Sequence, residues 1–145
     1  MKVADLIASR KEVFSISEDA TVHDAAKYLR ERGVRSAGVV NKDGKLTGVV
    51  SQSDISDKVA AENKCPAWMR VTEIMTAELV TVPPEAPLDA CLQLMEKFGI
   101  YHLLVVDDKT TRFHGMISVT DLLAVIASDE KARADLLEDL MFPKR

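Results

Sequence analysis

Two short runs hold the residue types that can do chemistry in this chain. Gly48-Val49-Val50-Ser51-Gln52-Ser53-Asp54 recurs as Gly115-Met116-Ile117-Ser118-Val119-Thr120-Asp121. Each reads as a strand that stops at a serine, followed by a helix that starts there. The serine can cap that helix by accepting a hydrogen bond from a first-turn N–H. The aspartate three residues on puts negative charge where the helix dipole favours it. Taken alone, one copy is a capping motif. Nucleophilic catalysis is not indicated, because neither serine has a histidine base in its motif and there is no Gly-x-Ser-x-Gly elbow. His23, His102 and His114 lack the spacing of helix-paired metal ligands. An enzyme is not expected.

The elements that must position these runs also come twice. Val3 to Ser9 predicts a short helix and Glu12 to Ser17 a strand. Val22, Ala25, Ala26 and Leu29 recur at helical spacing, and Gly33 supplies the left-handed residue that ends such a helix. Ser36 to Val40 and Leu46 to Val50 predict strands joined at Asp43-Gly44. A helix from Ser51 to about Asn63 closes the unit. After Cys65-Pro66, a short helix over Ala67 to Met75 leads into the second copy. There Leu79 to Val82 is a strand, and Leu88, Cys91, Leu92 and Met95 mark a helix ended by Gly99. His102 to Val106 and Arg112 to Ile117 are the returning strands. Sixty-six residues separate Gly33 from Gly99, and 67 separate Gly48 from Gly115. One extra residue in the second hairpin accounts for the difference. A further helix is expected from Ser128 to Phe142.

The fold class is therefore α+β, each repeat running strand, helix, strand, strand, helix. The expected units are 1–64, 65–127 and a helical tail, 128–145. A unit of about 60 residues is a marginal folder, and two units that bury a face against each other remove that difficulty. The net charge of −4 and the lack of a long basic run argue against nucleic acid as the main partner. No apolar stretch is long enough to span a membrane, and no signal-peptide core is visible at the start, so a cytoplasmic location is expected. Cys91 falls on an apolar helix face and reads as a buried thiol.

The repeats resemble the CBS domain, and the chain resembles a tandem pair of them, a Bateman module. The resemblance rests on Val71-Thr72-Glu73-Ile74-Met75-Thr76, on Ser17 to Val22, on Gly33-Val34-Arg35-Ser36 with Gly99-Ile100-Tyr101-His102, and on the two closing motifs. It implies two repeats packed by pseudo-twofold symmetry, with two clefts between them for adenosine ligands: AMP, ADP, ATP or S-adenosylmethionine. It implies that Asp54 and Asp121 hold ribose hydroxyls and that Ser51 and Ser118 meet phosphate. A carboxylate can accept two bonds from neighbouring hydroxyls, and a helix N-terminus offers free N–H groups to an anion, so the chemistry agrees.

Arg35, Ser36, His102, Thr76, Ala37 and Leu103 are the further ligand-binding positions the resemblance suggests; Phe14 and Val80 read as packing. Gly38 and Leu104 stand where the family commonly has proline, which bears on base selectivity. Ser53 and Thr120 replace the basic residue that often precedes the aspartate, which favours a monophosphate, an adenosyl ligand or one empty site over a triphosphate. The ligand is expected to be regulatory, with no cofactor required, and its occupancy to reach an unknown partner protein. A homodimer is expected through Met95, Leu122, Leu123 and Ile126 and their counterparts near Ile55 and Val59. The alternative is a structural or dimerisation module with no nucleotide bound.

Overall fold

Gly33 ends one long helix and Gly99 the other, with φ of +65° and +63°, a backbone region that side chains other than glycine enter at a cost. The computed structural model describes residues 1–10 and 12–128, together with Ala134, Leu137, Glu138 and Met141. The expected tail helix over 128–142 otherwise lies outside the described residues.

The elements are α1 (Val3–Ala8), β1 (Ser15–Ser17), α2 (Val22–Arg32), β2 (Ser36–Val40), β3 (Leu46–Ser51), α3 (Gln52–Ile55), β4 (Thr81–Val82), α4 (Leu88–Phe98), β5 (His102–Val106), β6 (Phe113–Ser118) and α5 (Val119–Ser128). A π-helical turn, Ser56–Ala60, continues α3. The strands form two three-stranded sheets, β1-β2-β3 and β4-β5-β6. In each, the first pair is parallel and the second antiparallel. Even the irregularity repeats: the register shifts between Val39 and Val40 in one sheet and between Val105 and Val106 in the other. The hairpin ends meet across a Lys45–Arg112 bridge, where Leu46 N–H donates to the Thr111 carbonyl at 3.2 Å.

Each repeat's core is completed by the other repeat's lead-in. Val22, Ala25, Val39, Val50 and Val59 pack with Val71 and Ile74. Val82, Cys91, Leu103, Val105, Ile117 and Leu122 pack with Val3 from the start of the chain. Backbone bonds fasten both exchanges. Val71 N–H donates to the Ala20 carbonyl and Val3 N–H to the Ala86 carbonyl, each at 2.9 Å. In space, then, residues 1–10 belong with the second repeat and the segment before β4 belongs with the first.

Three expected elements are shorter than their apolar runs. β1 starts at Ser15 and β4 at Thr81, because Phe14 and Val80 each accept a single ladder bond, from Gly38 and Leu104, before the chain turns aside. The lead-in over 67–75 is two 3₁₀ turns, Pro66–Trp68 and Val71–Glu73, and not a helix. Proline has no N–H to give, and the Val71 amide is bonded to the first repeat. The expected dimer face also changes. Met95, Leu122 and Val59 are buried inside the chain and unavailable to a second copy, whereas Leu123 is exposed. The Ile126 side chain lies outside the described residues. Among the described residues no helix is long and apolar enough to cross a membrane.

Candidate functional site

Both serine–aspartate runs fold as reciprocal caps. Asp54 N–H donates to Ser51 Oγ at 3.2 Å, while Ser51 N–H and Oγ each donate to Asp54 Oδ2 at 3.0 Å. Asp121 N–H donates to Ser118 Oγ at 3.3 Å, and Asp121 Oδ2 accepts from Ser118 N–H at 2.7 Å and Ser118 Oγ at 3.2 Å. The capping reading is thus correct. It leaves one oxygen of each carboxylate outside the cap.

Beside each cap lies a cleft built from both repeats. The first, about 640 Å³, is lined by Ser51, Asp54, Thr76 and Val80. Ile100, Tyr101 and His102 face them from the second repeat. The second, about 370 Å³, pairs Ser118 and Asp121 with Arg10, Val13 and Phe14, and is faced by Val34, Arg35 and Ser36. Both volumes lie within the ~300–1,000 Å³ typical of small-molecule sites. The same positions of each repeat serve in turn. Val13, Phe14, Val34, Arg35 and Ser36 correspond to Leu79, Val80, Ile100, Tyr101 and His102, each 66 residues on.

Of the residues singled out in the sequence, Ser51, Asp54 and Thr76 line the first cleft, and Ser118 and Asp121 the second. Arg35, Ser36 and His102 line both, and so stand in the partition between them. Ala37 and Leu103 line neither. Both are fully buried, because strand side chains alternate and these two point to the core. Leu104 reaches the first cleft in place of Leu103, and Val49 and Met116 also serve as walls. Phe14 and Val80 are cleft walls, and Val80 also packs against the core of the second repeat. Counting in twos from His102 would have found Leu104.

No local pattern pointed to Arg10, Glu12 or Glu78. Arg10 Nη2 donates to Asp121 Oδ2 at 2.7 Å, and its Nη1 donates to the Met116 carbonyl. In the first cleft the matching carbonyl, that of Val49, is taken by the Thr76 backbone N–H at 2.8 Å. Asp54 has a different cation: Lys58 Nζ stands 3.0 Å from Oδ1 and also donates to the Ile74 carbonyl at 2.9 Å. Lys58 is not part of the cleft wall, whereas Arg10 is. Asp54 is only 8% exposed, so the lysine and the cap together offset the cost of burying its charge. Cys91 is buried, and burial pushes its thiol up to about 11, so it is not a nucleophile at neutral pH. Among the described residues no group of histidine, cysteine, aspartate and glutamate is arranged to hold a metal ion.

Residues 3–61 and 71–128 each match the CBS domain. The chain belongs to the CBS-domain family. This CBS pair is 32% identical over 127 residues to protein MJ1232 of Methanocaldococcus jannaschii, covering 88% of this chain and 40% of that protein. It is 36% identical over 124 residues to a homoserine O-acetyltransferase of Methanococcoides burtonii, covering 86% of this chain and 24% of the enzyme. The chain therefore spans less than half the length of either relative. Among solved structures, it resembles the CBS domain pair of protein MJ0100 in complex with 5'-methylthioadenosine and S-adenosyl-L-methionine. That match has 27% identity, covers 88% of this chain and 97% of the other, and has a TM-score of 0.74.

Proposed function

We propose that this CBS pair is a regulatory module that binds adenosine-containing ligands in the clefts between its repeats and passes their occupancy to a separate protein. The observation that carries the reading is the first cleft. It sets a capped carboxylate, Asp54, in the wall of a mainly apolar groove lined also by Val49, Val80, Ile100 and Leu104. That combination suits a ribose diol at the carboxylate and a flat base against the apolar wall. The similar MJ0100 pair was solved with 5'-methylthioadenosine and S-adenosyl-L-methionine, which supports the same ligand class here. Absence of a basic residue at Ser53 and Thr120 favours AMP or an adenosyl compound over ATP. Binding acts as a signal only through a difference in affinity between two poses of the repeats. The exchanged lead-ins, which tie each core to the other repeat, are the elements such a change of pose would strain.

The test is calorimetry with AMP, ADP, ATP and S-adenosylmethionine. At least one should bind. Asp54→Ala should then weaken binding in the first cleft by about 1.5–3 kcal/mol, the worth of hydrogen bonds to a charged group. Silence from all four ligands at millimolar concentration would leave the other reading, a structural or dimerising module. A homodimer is part of the proposal. Of its expected face, exposed Leu123 and partly buried Ile55 remain available, and sedimentation showing only monomer would remove it.

A further inference from the structure

Granted the adenosine reading above, the two clefts differ in a way their shared motif does not account for. Glu12 and Glu78 occupy matching places, 66 residues apart, one on each cleft wall. Glu12 is paired with Arg32 at 2.6 Å. The residue matching Arg32 in the second repeat is Phe98, and Glu78 has no ion pair among the described residues. The first cleft therefore presents a carboxylate without an ion pair, with the Arg35 guanidinium in the same lining.

The second cleft carries the reverse feature. Arg10 lies in its wall, held by Asp121, while Asp121 Oδ1 accepts no hydrogen bond among the described residues. Arg35 takes the place there that Tyr101 takes in the first cleft, and its guanidinium makes no ion pair among the described residues. Arg35 lines both clefts, whereas Arg10 and His114 line only the second. A guanidinium offers a planar fork of donors that matches phosphate, and a bare carboxylate repels phosphate and attracts a cation.

We propose that the clefts divide adenosine ligands by charge. The second takes a phosphorylated adenosine, with Arg10, the arginine particular to that cleft, on its phosphate and Asp121 on its ribose. The first takes an uncharged or cationic adenosine, a 5'-thioether or a sulfonium, with Glu78 facing the charged end. Arg10 is then the specificity residue of the second cleft. Arg10 neutralises Asp121, and a nucleotide gives it a phosphate in exchange.

Calorimetry of the full chain with AMP and with S-adenosylmethionine tests this, using Arg10→Gln, Arg10→Lys, Glu78→Gln and Asp54→Ala. AMP should bind one site, weaken tenfold or more in Arg10→Gln, recover in part in Arg10→Lys, and be unchanged in Asp54→Ala. S-adenosylmethionine should show the opposite pattern, weakening in Asp54→Ala and Glu78→Gln and unchanged in Arg10→Gln. That last measurement also shows that the Arg10 variant is folded. Tighter AMP binding in Arg10→Gln would make Arg10 a plug and overturn the proposal. So would loss of both ligands from the same cleft. Either result would leave the adenosine reading standing, whereas no heat from either ligand would overturn both.

Discussion

The two clefts share a motif, a fold and a wall plan, and still differ in charge. Asp54 is buttressed from behind by Lys58 on its own helix, while Asp121 is held from the front by Arg10, 111 residues away in sequence. In a duplicated fold, the repeated motif sets where a carboxylate stands. A residue that is not repeated, here Arg10, sets what it meets. The same division runs through the packing.

The largest expected effect concerns Gly38 and Phe113. A Cβ on Gly38 would stand 2.4 Å from the Phe113 ring, so the glycine makes room for an aromatic from the other sheet. Their counterparts in the opposite repeats are Leu104 and Leu46, two side chains of equal size. Gly38→Ala should cost about 1–3 kcal/mol in denaturant unfolding, the usual penalty for overpacking. Phe113→Leu, which restores the other repeat's choice, should recover part of that loss in the double variant. A double variant no more stable than the sum of the two singles predicts would show that the ring is not the obstacle.

A smaller contrast lies at the helix starts. Thr21 Oγ1 accepts from Asp24 N–H at 3.0 Å, and Thr21 N–H donates back to Asp24 Oδ2 at 3.3 Å. Pro87, at the matching place before α4, makes no side-chain bond. Thr21→Ala should therefore cost about 1 kcal/mol through the lost cap. Pro87→Ala loses only the stiffness of the ring in the unfolded chain, about 0.4–1 kcal/mol. Thermal melts giving Pro87→Ala the greater loss would mean that the cap in α2 is idle.

What could be read in the sequence was what is local and repeated. Gly33 and Gly99, the paired closing motifs and the strand order all follow from short-range preferences that occur twice, 66 or 67 residues apart, so each copy supports the other. Resemblance alone points Ala37 and Leu103 at the ligand, although strand alternation from Ser36 and His102 turns them into the core. The exchanged lead-ins were not legible, since nothing in Val3 or Val71 says which repeat's core it will complete. Arg10 was hidden for the same reason. Its bond to Asp121 depends on tertiary placement, and it has no counterpart in the other repeat to raise its signal.

The smallest effect should come from the hairpins, where one repeat uses a neutral group and the other a charged one for the same task. Asn41 Oδ1 accepts from the N–H groups of Asp43 and Lys45 at 2.9 and 3.0 Å. Asp107, 66 residues on, has Oδ1 accepting from Lys109 N–H at 2.9 Å and Thr110 N–H at 3.2 Å. The Lys109 and Thr110 amides hold the Asp107 carboxyl below its ordinary value of 3.8. A carboxyl lowered by folding stabilises the folded turn above its unfolded pKa, and that contribution is lost as pH falls through the lower, folded value. Acid should thus loosen the second hairpin while leaving the first alone. Because Asp107 is exposed to solvent, the effect belongs to the turn and should barely move the global melt. Amide exchange at Lys109 and Thr110, corrected for intrinsic pH dependence, should accelerate below pH 3.8, whereas Asp43 and Lys45 should not change. Asp107→Asn, which copies the first hairpin, should abolish the difference. If the two turns open together in acid, the carboxylate is a bystander and the hairpins are held by their backbone alone.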